Sequence, residues 1–493
     1  MKAELRRRTI SGLRWIMLNA VGEKGLSFLT TMVLARILDP HHFGVYSLAF
    51  IAIDSLGVFK NLGLDAAIIQ RTERIEEAAD TALLVLPLVG GSLCGLLYLA
   101  APTVAGWLGQ PEVAGPMRAL GLVFILMSLG NVPAALIQKY MRFRLRTAAN
   151  LSGMAVYTLV AITLALRGAG VYSLIVAYLA RWTVNIVVLW ANVRWVPSWK
   201  FDKSLFKEML RFSKYVMGAG IISVLAASMD RLVIGRWLGM TSLGFYTLCL
   251  GLSNLVPVQV GTRAYQIVLP AFAQMQSDPK LAKAGFLKLM QYLLLCALPA
   301  AVLLFAVPVD LLHAFFGPRW TGAAPALQIL ALYSVFETVR AGIDPALTGF
   351  GRIRAVFCLN LLQLALLGTG GVWMARSGSL QGVIWAVTVA SCVPGLVSLT
   401  VMMRTLRISL PELLAELRAP FFSACVMIAV VGVAGLIRVP LMGSRQPSGL
   451  WLLGMAVISL LSYAAAVFWF NRPIIADLIH LSGIRTAPAA GKS

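Results

Sequence analysis

Few ionisable residues interrupt the long apolar runs of this chain, and several of them keep helical spacing. Glu337, Arg340 and Asp344 stand at i, i+3 and i+7, along one face of a helix. Asn19, Glu23 and Ser27 stand at i, i+4 and i+8, a second polar stripe. Lys24, Asp54 and Arg181 also lie deep in apolar sequence, whereas Lys60, Asp65, Asp230, Arg231 and Arg263 lie nearer the ends of their runs. Two chemistries suit such a set. Lys24, Lys60, Arg181, Arg263 and Arg340 can hold an anionic group, because unneutralised cations attract strongly at low dielectric and phosphate oxygens accept well from Arg. Glu23, Asp54, Glu337 and Asp344 can take up a coupling ion, H+ or Na+, or pair with a neighbouring cation.

Each assignment has a plainer rival. Glu337 and Arg340 can be an internal ion pair that only locks its own helix. Asp230 and Arg231 can snorkel from a helix end. Asp54 can be a counter-ion for Arg181 or Lys24; its equivalent in the repeat described below is Asn254. Catalytic motifs are missing. Gly491-Lys-Ser493 ends like a phosphate-binding loop, but Thr486 stands where that loop needs its first Gly. Cys94, Cys249, Cys296, Cys358, Cys392 and Cys425 sit in apolar runs without metal-ligand spacing, and the four His are scattered. The expectation is a non-enzyme with no catalytic residue, no metal site and no cofactor beyond the coupling ion.

The elements that must position these residues are membrane helices. Hydrophobic residues make up 59% of the 493 and charged residues only 13%, against about 45–50% and about 25% in soluble domains. About fourteen apolar stretches are long enough to cross a bilayer core of roughly 30 Å. They fall near 11–35, 43–66, 81–108, 113–137, 148–166, 170–193, 212–237, 243–269, 286–309, 323–348, 355–375, 380–403, 419–438 and 449–471. The formal charge of +22 concentrates on one set of alternating loops, in clusters such as Arg6–Arg8, Lys139 with Arg142, Arg144 and Arg146, and Lys200 with Lys203, Lys207 and Arg211. That asymmetry predicts both termini in the cytoplasm. It accounts for the basicity through topology and contact with anionic lipids, without nucleic acid.

A repeat orders the spans. Val33, Arg36, Leu38, Gly44, Tyr46 and Leu48 recur 200 residues on as Val233, Arg236, Leu238, Gly244, Tyr246 and Leu248. The offset spans six crossings, an even number, so the copies face the same way about an axis along the membrane normal. The expected organisation is an N-terminal lobe over 1–194, a cytoplasmic amphipathic connector over 195–211 and a C-terminal lobe over 212–404. A second amphipathic segment follows over 405–418, opened by the capping box Ser409-Leu-Pro-Glu412. Two added spans cover 419–471, and the cytoplasmic tail covers 472–493. Pro87 with Gly90–Gly91, Gly130 with Pro133, Pro257 with Gly261 and Gly342 with Pro345 mark expected interruptions of spans, with ordinary packing kinks as the plainer reading.

The residues Leu34-Ala-Arg-Ile-Leu-Asp-Pro-His-His-Phe-Gly-Val-Tyr46, with Gly12-Leu-Arg-Trp-Ile-Met17, Leu62-Gly-Leu-Asp65 and Asp230-Arg-Leu-Val-Ile-Gly-Arg-Trp-Leu-Gly239, carry a family resemblance. The chain resembles the Wzx-type flippases, polysaccharide transporters of the multidrug/oligosaccharidyl-lipid/polysaccharide exporter superfamily. The resemblance implies an all-α polytopic fold of two six-helix lobes related by a pseudo-two-fold, with two extra helices. It implies movement of an undecaprenyl-pyrophosphate-linked oligosaccharide across the bacterial inner membrane for exopolysaccharide, capsule or lipopolysaccharide synthesis. Alternating access through a cationic cavity between the lobes is expected, as are a monomeric state and partnership with a polysaccharide polymerase and glycosyltransferases. Alternatives on the same fold are a cation-coupled drug antiporter, which predicts a cavity rich in acids and aromatics, and a lipid II flippase. A non-transporting scaffold in a polysaccharide synthesis complex is a third.

Overall fold

The structure is a computed structural model that describes residues 2–71, 73–204, 206, 228–442 and 449–470. The connector beyond Phe206, most of the expected seventh span and the expected tail from 471 onward lie outside the described residues. The described residues form helices and turns, and no strand occurs among them. Nine helices among them are long and apolar enough to cross a membrane, or ten if one bent pair is counted as a single span. The chain is a multi-pass membrane protein. Large apolar side chains left exposed on outer faces, such as Leu88 and Leu99, would be a liability in water and match the surrounding acyl chains in a bilayer.

Two compact units make up the chain. The first comprises residues 1–247 with 375–380, and the second 248–374 with 381–493. In the first unit, α1 (Lys2–Ile37) packs on α6 (Phe143–Leu166), which packs on α7 (Val171–Asn192). α4 (Ile75–Trp107) lies along α5 (Ala114–Lys139), and α5 also supports α2 (Pro40–Gly57) and α3 (Leu64–Gln70). A short helical run over 228–237, α8, leads into α9 (Gly239–Ser253). In the second unit, α10 (Leu255–Gln274) and α11 (Pro279–Ala306) pack on α13 (Ala324–Gly349), with α12 (Pro308–Phe316) between the latter two in sequence. The chain continues through α14 (Ile353–Leu366), a π-helical turn over Leu367–Gly371, α15 (Val372–Arg376) and α16 (Leu380–Leu406). α17 (Leu410–Met442) packs on α11 and on α18 (Gly449–Phe470).

Two expected spans are not continuous. The stretch 43–66 stops at Gly57 and passes into tight turns, with the Phe59 N–H donating to the Leu56 carbonyl and the Lys60 N–H to that of Gly57. Leu62 and Gly63 then take left-handed backbone angles, with φ of 47° and 69°. α3 begins anew at Leu64. The stretch 243–269 bends by 55° between Ser253 and Leu255. Pro257 lies four residues after Ser253, where its ring excludes the carbonyl of a regular helix. The other proline sites do not interrupt: α4, α5 and α13 run straight through Pro87, Pro133 and Pro345.

The capping box forms as expected. The Ser409 backbone N–H donates to Glu412 Oε2 at 2.9 Å and the Glu412 N–H donates to Ser409 Oγ at 3.4 Å. The segment then continues without a break as α17, so 405–418 ends as the first turns of a long helix rather than a separate in-plane one. Residues 193–202 run without regular structure, fastened to α4: the Ser198 N–H donates to Asp80 Oδ1 at 2.9 Å, and Arg74 pairs with Glu77 and Asp202. The hydrogen bond to Glu77, then that to Asp202, pushes the Arg74 pKa above its ordinary value.

The repeat closes on itself within the first unit. A Cβ built on Gly44 would land on the carbonyl oxygen of Met240, and one built on Gly244 would land on that of Pro40. Pro40 and Met240 are themselves 200 residues apart, as are Ser47 and Thr247, and the Thr247 hydroxyl donates to Ser47 Oγ at 3.1 Å. α2 and the start of α9 therefore cross backbone to backbone, each copy presenting its glycine to the other.

Candidate functional site

The two polar stripes become two networks, one in each unit. In the first, Glu23 on α1 and Arg181 on α7 form an ion pair, Nη2 to Oε1 at 2.5 Å, with side chains 29% and 28% exposed. Asn19 donates to the other Glu23 oxygen at 3.4 Å, so two members of the α1 stripe act together. One turn along α7, Asn185 Nδ2 donates to Asn150 Oδ1 on α6 at 3.0 Å. Rings surround the pair. Tyr46 lies 5.6 Å from Phe50, Phe50 lies 5.3 Å from Tyr178 in an edge-to-face contact, and Tyr178 lies 6.5 Å from Trp182. Tyr46, Tyr157 and Tyr178 all stand within electrostatic reach of Arg181.

In the second unit, Arg340 holds a three-helix junction. Its Nη2 donates to Glu337 Oε1 at 3.0 Å, and its Nη1 donates to Gln363 Oε1 at 2.6 Å and Asn360 Oδ1 at 3.2 Å, both on α14. Ser391 on α16 donates to the second Glu337 oxygen at 2.6 Å, and Ser398 donates to Asp344 at 3.4 Å. The Glu337–Arg340 pair thus forms, but it ties α13 to α14 and α16 instead of only locking one helix.

Of the remaining expected residues, Asp54 stands within electrostatic reach of Tyr46 and Tyr178, two of the rings near Arg181. Asp54, on the last turn of α2, also stands within electrostatic reach of Arg231 and Lys60. Lys60 sits in the turn after α2 and feels Asp65 and Asp54. Lys24 is exposed on α1. Arg263 belongs to α10, and its side chain lies outside the described residues.

Asp230 corrects the snorkelling reading. It is buried, accepts the Tyr246 hydroxyl, and accepts the Arg231 backbone N–H at 2.8 Å. Removing that hydroxyl with Tyr246→Phe leaves a buried carboxylate oxygen short of a donor, so a loss of about 1–3 kcal/mol is expected. Thermal unfolding of the detergent-solubilised protein reads it directly, and an unchanged melting temperature would refute it.

The sequence reading missed the tyrosines around Arg181. Tyr178, Arg181 and Asn185 stand at i, i+3 and i+7, the spacing that marks the other stripes, but a tyrosine does not stand out from an apolar run as a charge does.

An apolar cavity completes the inventory of the second unit. It measures about 820 Å³ and is walled by α11, α13, α17 and α18, with Phe305, Phe421, Ile428, Val431, Trp451 and Met455 among its lining.

A sequence model of the family described as polysaccharide biosynthesis protein matches residues 33–325. The chain belongs to that family. The chain is 27% identical over 486 residues to the succinoglycan biosynthesis transport protein ExoT of Rhizobium meliloti (strain 1021), covering 97% of this chain and 96% of the relative. It is 26% identical over 441 residues to the lipopolysaccharide biosynthesis protein WzxC of Escherichia coli (strain K12), covering 88% and 89%. The Wzx-type resemblance read from the sequence is borne out. Among solved structures, the lipid II flippase MurJ in an inward closed conformation superposes with a TM-score of 0.70 at 14% identity, over 93% of this chain and 100% of that one. An inward-facing multidrug resistance MATE family transporter of the MOP superfamily gives 0.64 at 16%, over 81% and 99%. At these identities the likeness establishes the all-α fold that this chain shares with both.

Proposed function

We propose that this protein is a flippase that carries an undecaprenyl-pyrophosphate-linked oligosaccharide repeat unit from the cytoplasmic to the outer leaflet of the bacterial inner membrane, supplying surface polysaccharide synthesis. Family membership carries the reading, together with near full-length similarity to a relative named as a succinoglycan biosynthesis transport protein. The chemistry of the chain agrees. Lys24, Lys60, Arg263 and Arg340 offer cationic groups to a pyrophosphate, the exposed Lys24 being the readiest of those described, while Arg181, paired with Glu23, is left to the sugar. The apolar cavity of the second unit suits a segment of the prenyl chain. Asp54 and Asp344 are the proposed sites of a coupling H+ or Na+, which can drive the cycle only by binding one conformation better than another. Both termini are assigned to the cytoplasm, and the protein is taken to work as a monomer beside a polysaccharide polymerase and glycosyltransferases.

Deleting the gene tests this directly. A lipid-linked, sugar-bearing pyrophosphate should accumulate on the cytoplasmic side while polymer export stops. Normal export with no such intermediate would refute the reading, and accumulation of lipid II would transfer it to peptidoglycan.

A further inference from the structure

We propose that the Glu23–Arg181 pair and the tyrosines around it form a recognition subsite for a sugar ring of the transported lipid. The proposal rests on the flippase reading and assigns one part of the substrate to one place. Arg181 is already bonded to a carboxylate at 2.5 Å. A guanidinium so neutralised is a poor partner for a pyrophosphate, because that anion would have to displace or outweigh Glu23. An uncharged polyol needs no such exchange. The pair presents acceptors and donors side by side, the arrangement that suits adjacent hydroxyls on a pyranose.

The surroundings suit a sugar for a second, independent reason. Tyr46, Phe50, Tyr178 and Trp182 form a continuous run of rings. Aromatic faces give the C–H face of a sugar an apolar surface, while phenol hydroxyls serve its polar edge. Four helices converge here: Glu23 comes from α1, Tyr46 from α2, Tyr157 from α6, and Tyr178 with Arg181 from α7. All of these side chains stay partly accessible.

The hydroxyls supply the third observation. Neither Tyr46 nor Tyr157 shares its hydroxyl with a protein group among the described residues. A phenol inside a membrane domain ordinarily finds a protein partner. Phenylalanine would serve packing alone equally well, so two hydroxyls beside an ion pair that no described group takes up are donors held for a ligand.

The test uses the full-length protein in lipid nanodiscs and two probes. One is the lipid-linked oligosaccharide purified from cells lacking the protein, and the other is undecaprenyl pyrophosphate without sugar. Wild type should prefer the sugar-bearing lipid by about tenfold or more, as sites built around hydrogen bonds do. Tyr46→Phe with Tyr157→Phe should shrink that preference towards one while leaving the affinity for the sugar-free lipid unchanged, and separately Glu23→Gln, which leaves Arg181 unneutralised, should shrink it without weakening the sugar-free lipid. The phenylalanine variants keep the rings, and their melting temperatures verify folding. Variants that retain the full preference overturn the proposal. Variants that lose both lipids equally also overturn it, by placing the pyrophosphate here, and leave the flippase reading intact. If no lipid-linked oligosaccharide accumulates, or wild type binds neither lipid, the flippase reading falls and the subsite with it.

Discussion

A single methyl group added at Gly44 should cut polymer export by about tenfold or more, and the same change at Gly244 should do equal damage. The reason is the backbone crossing of α2 and α9. The atom that a Cβ would strike is the main-chain carbonyl of Met240 in one case and of Pro40 in the other. A side chain in that position could rotate away; a carbonyl held in a helix cannot, so the helices must part. In a membrane, small residues are what allow two helices to approach this closely, since lipid supplies no hydrophobic force to press them together. Parting them also stretches the Thr247–Ser47 hydrogen bond, now 3.1 Å long and less than one turn away. The destabilisation from such overpacking is about 1–3 kcal/mol. Gly44→Ala and Gly244→Ala attack one interface, so the double variant should lose less than the sum of the two. Export measured in a deletion strain, normalised to protein in the membrane fraction, decides the matter. Both single variants exporting at the wild-type rate would show that the crossing tolerates separation.

The repeat that brings these glycines together was legible because it fixes register: an offset of 200 aligns Pro40, Gly44 and Ser47 with Met240, Gly244 and Thr247. That the two copies touch was not legible, since similarity between segments says nothing of contact. Hydropathy placed the long helices well but could not see the stop after Gly57, where a left-handed Leu62–Gly63 pair ends an otherwise apolar run. The bend after Ser253 carried a local signal in Pro257; the unbroken α4, α5 and α13 show that such a signal alone does not decide.

For the candidate sites the limit was range. Glu337, Arg340 and Asp344 share one helix face and declare themselves by spacing, whereas Gln363, Ser391 and Ser398 reach them only through the packing of α14 and α16. Asp230 reads as a snorkelling partner of its neighbour Arg231, whereas it is buried and accepts from Tyr246, sixteen residues away.

Truncating Arg340 is the most damaging change expected in the second unit. Its side chain is 13% exposed and that of Glu337 19%. Arg340→Ala strands the Glu337 carboxylate with Ser391 as its one remaining described donor, and removes the shared donor from Asn360 and Gln363. Leaving one partner of a largely buried pair costs about 3–5 kcal/mol, whereas removing both charges costs far less because no uncompensated ion remains. Arg340→Ala should therefore lower the melting temperature sharply and abolish export. Adding Glu337→Gln to it should recover much of the melting temperature. Export separates the two roles open to this arginine. If Arg340 only braces α13 against α14 and α16, the stabilised double variant exports again. If it also meets the pyrophosphate, stability returns and export does not, because a neutral pair has nothing to offer an anion. A double variant as unstable as Arg340→Ala alone would refute the stranded-charge account.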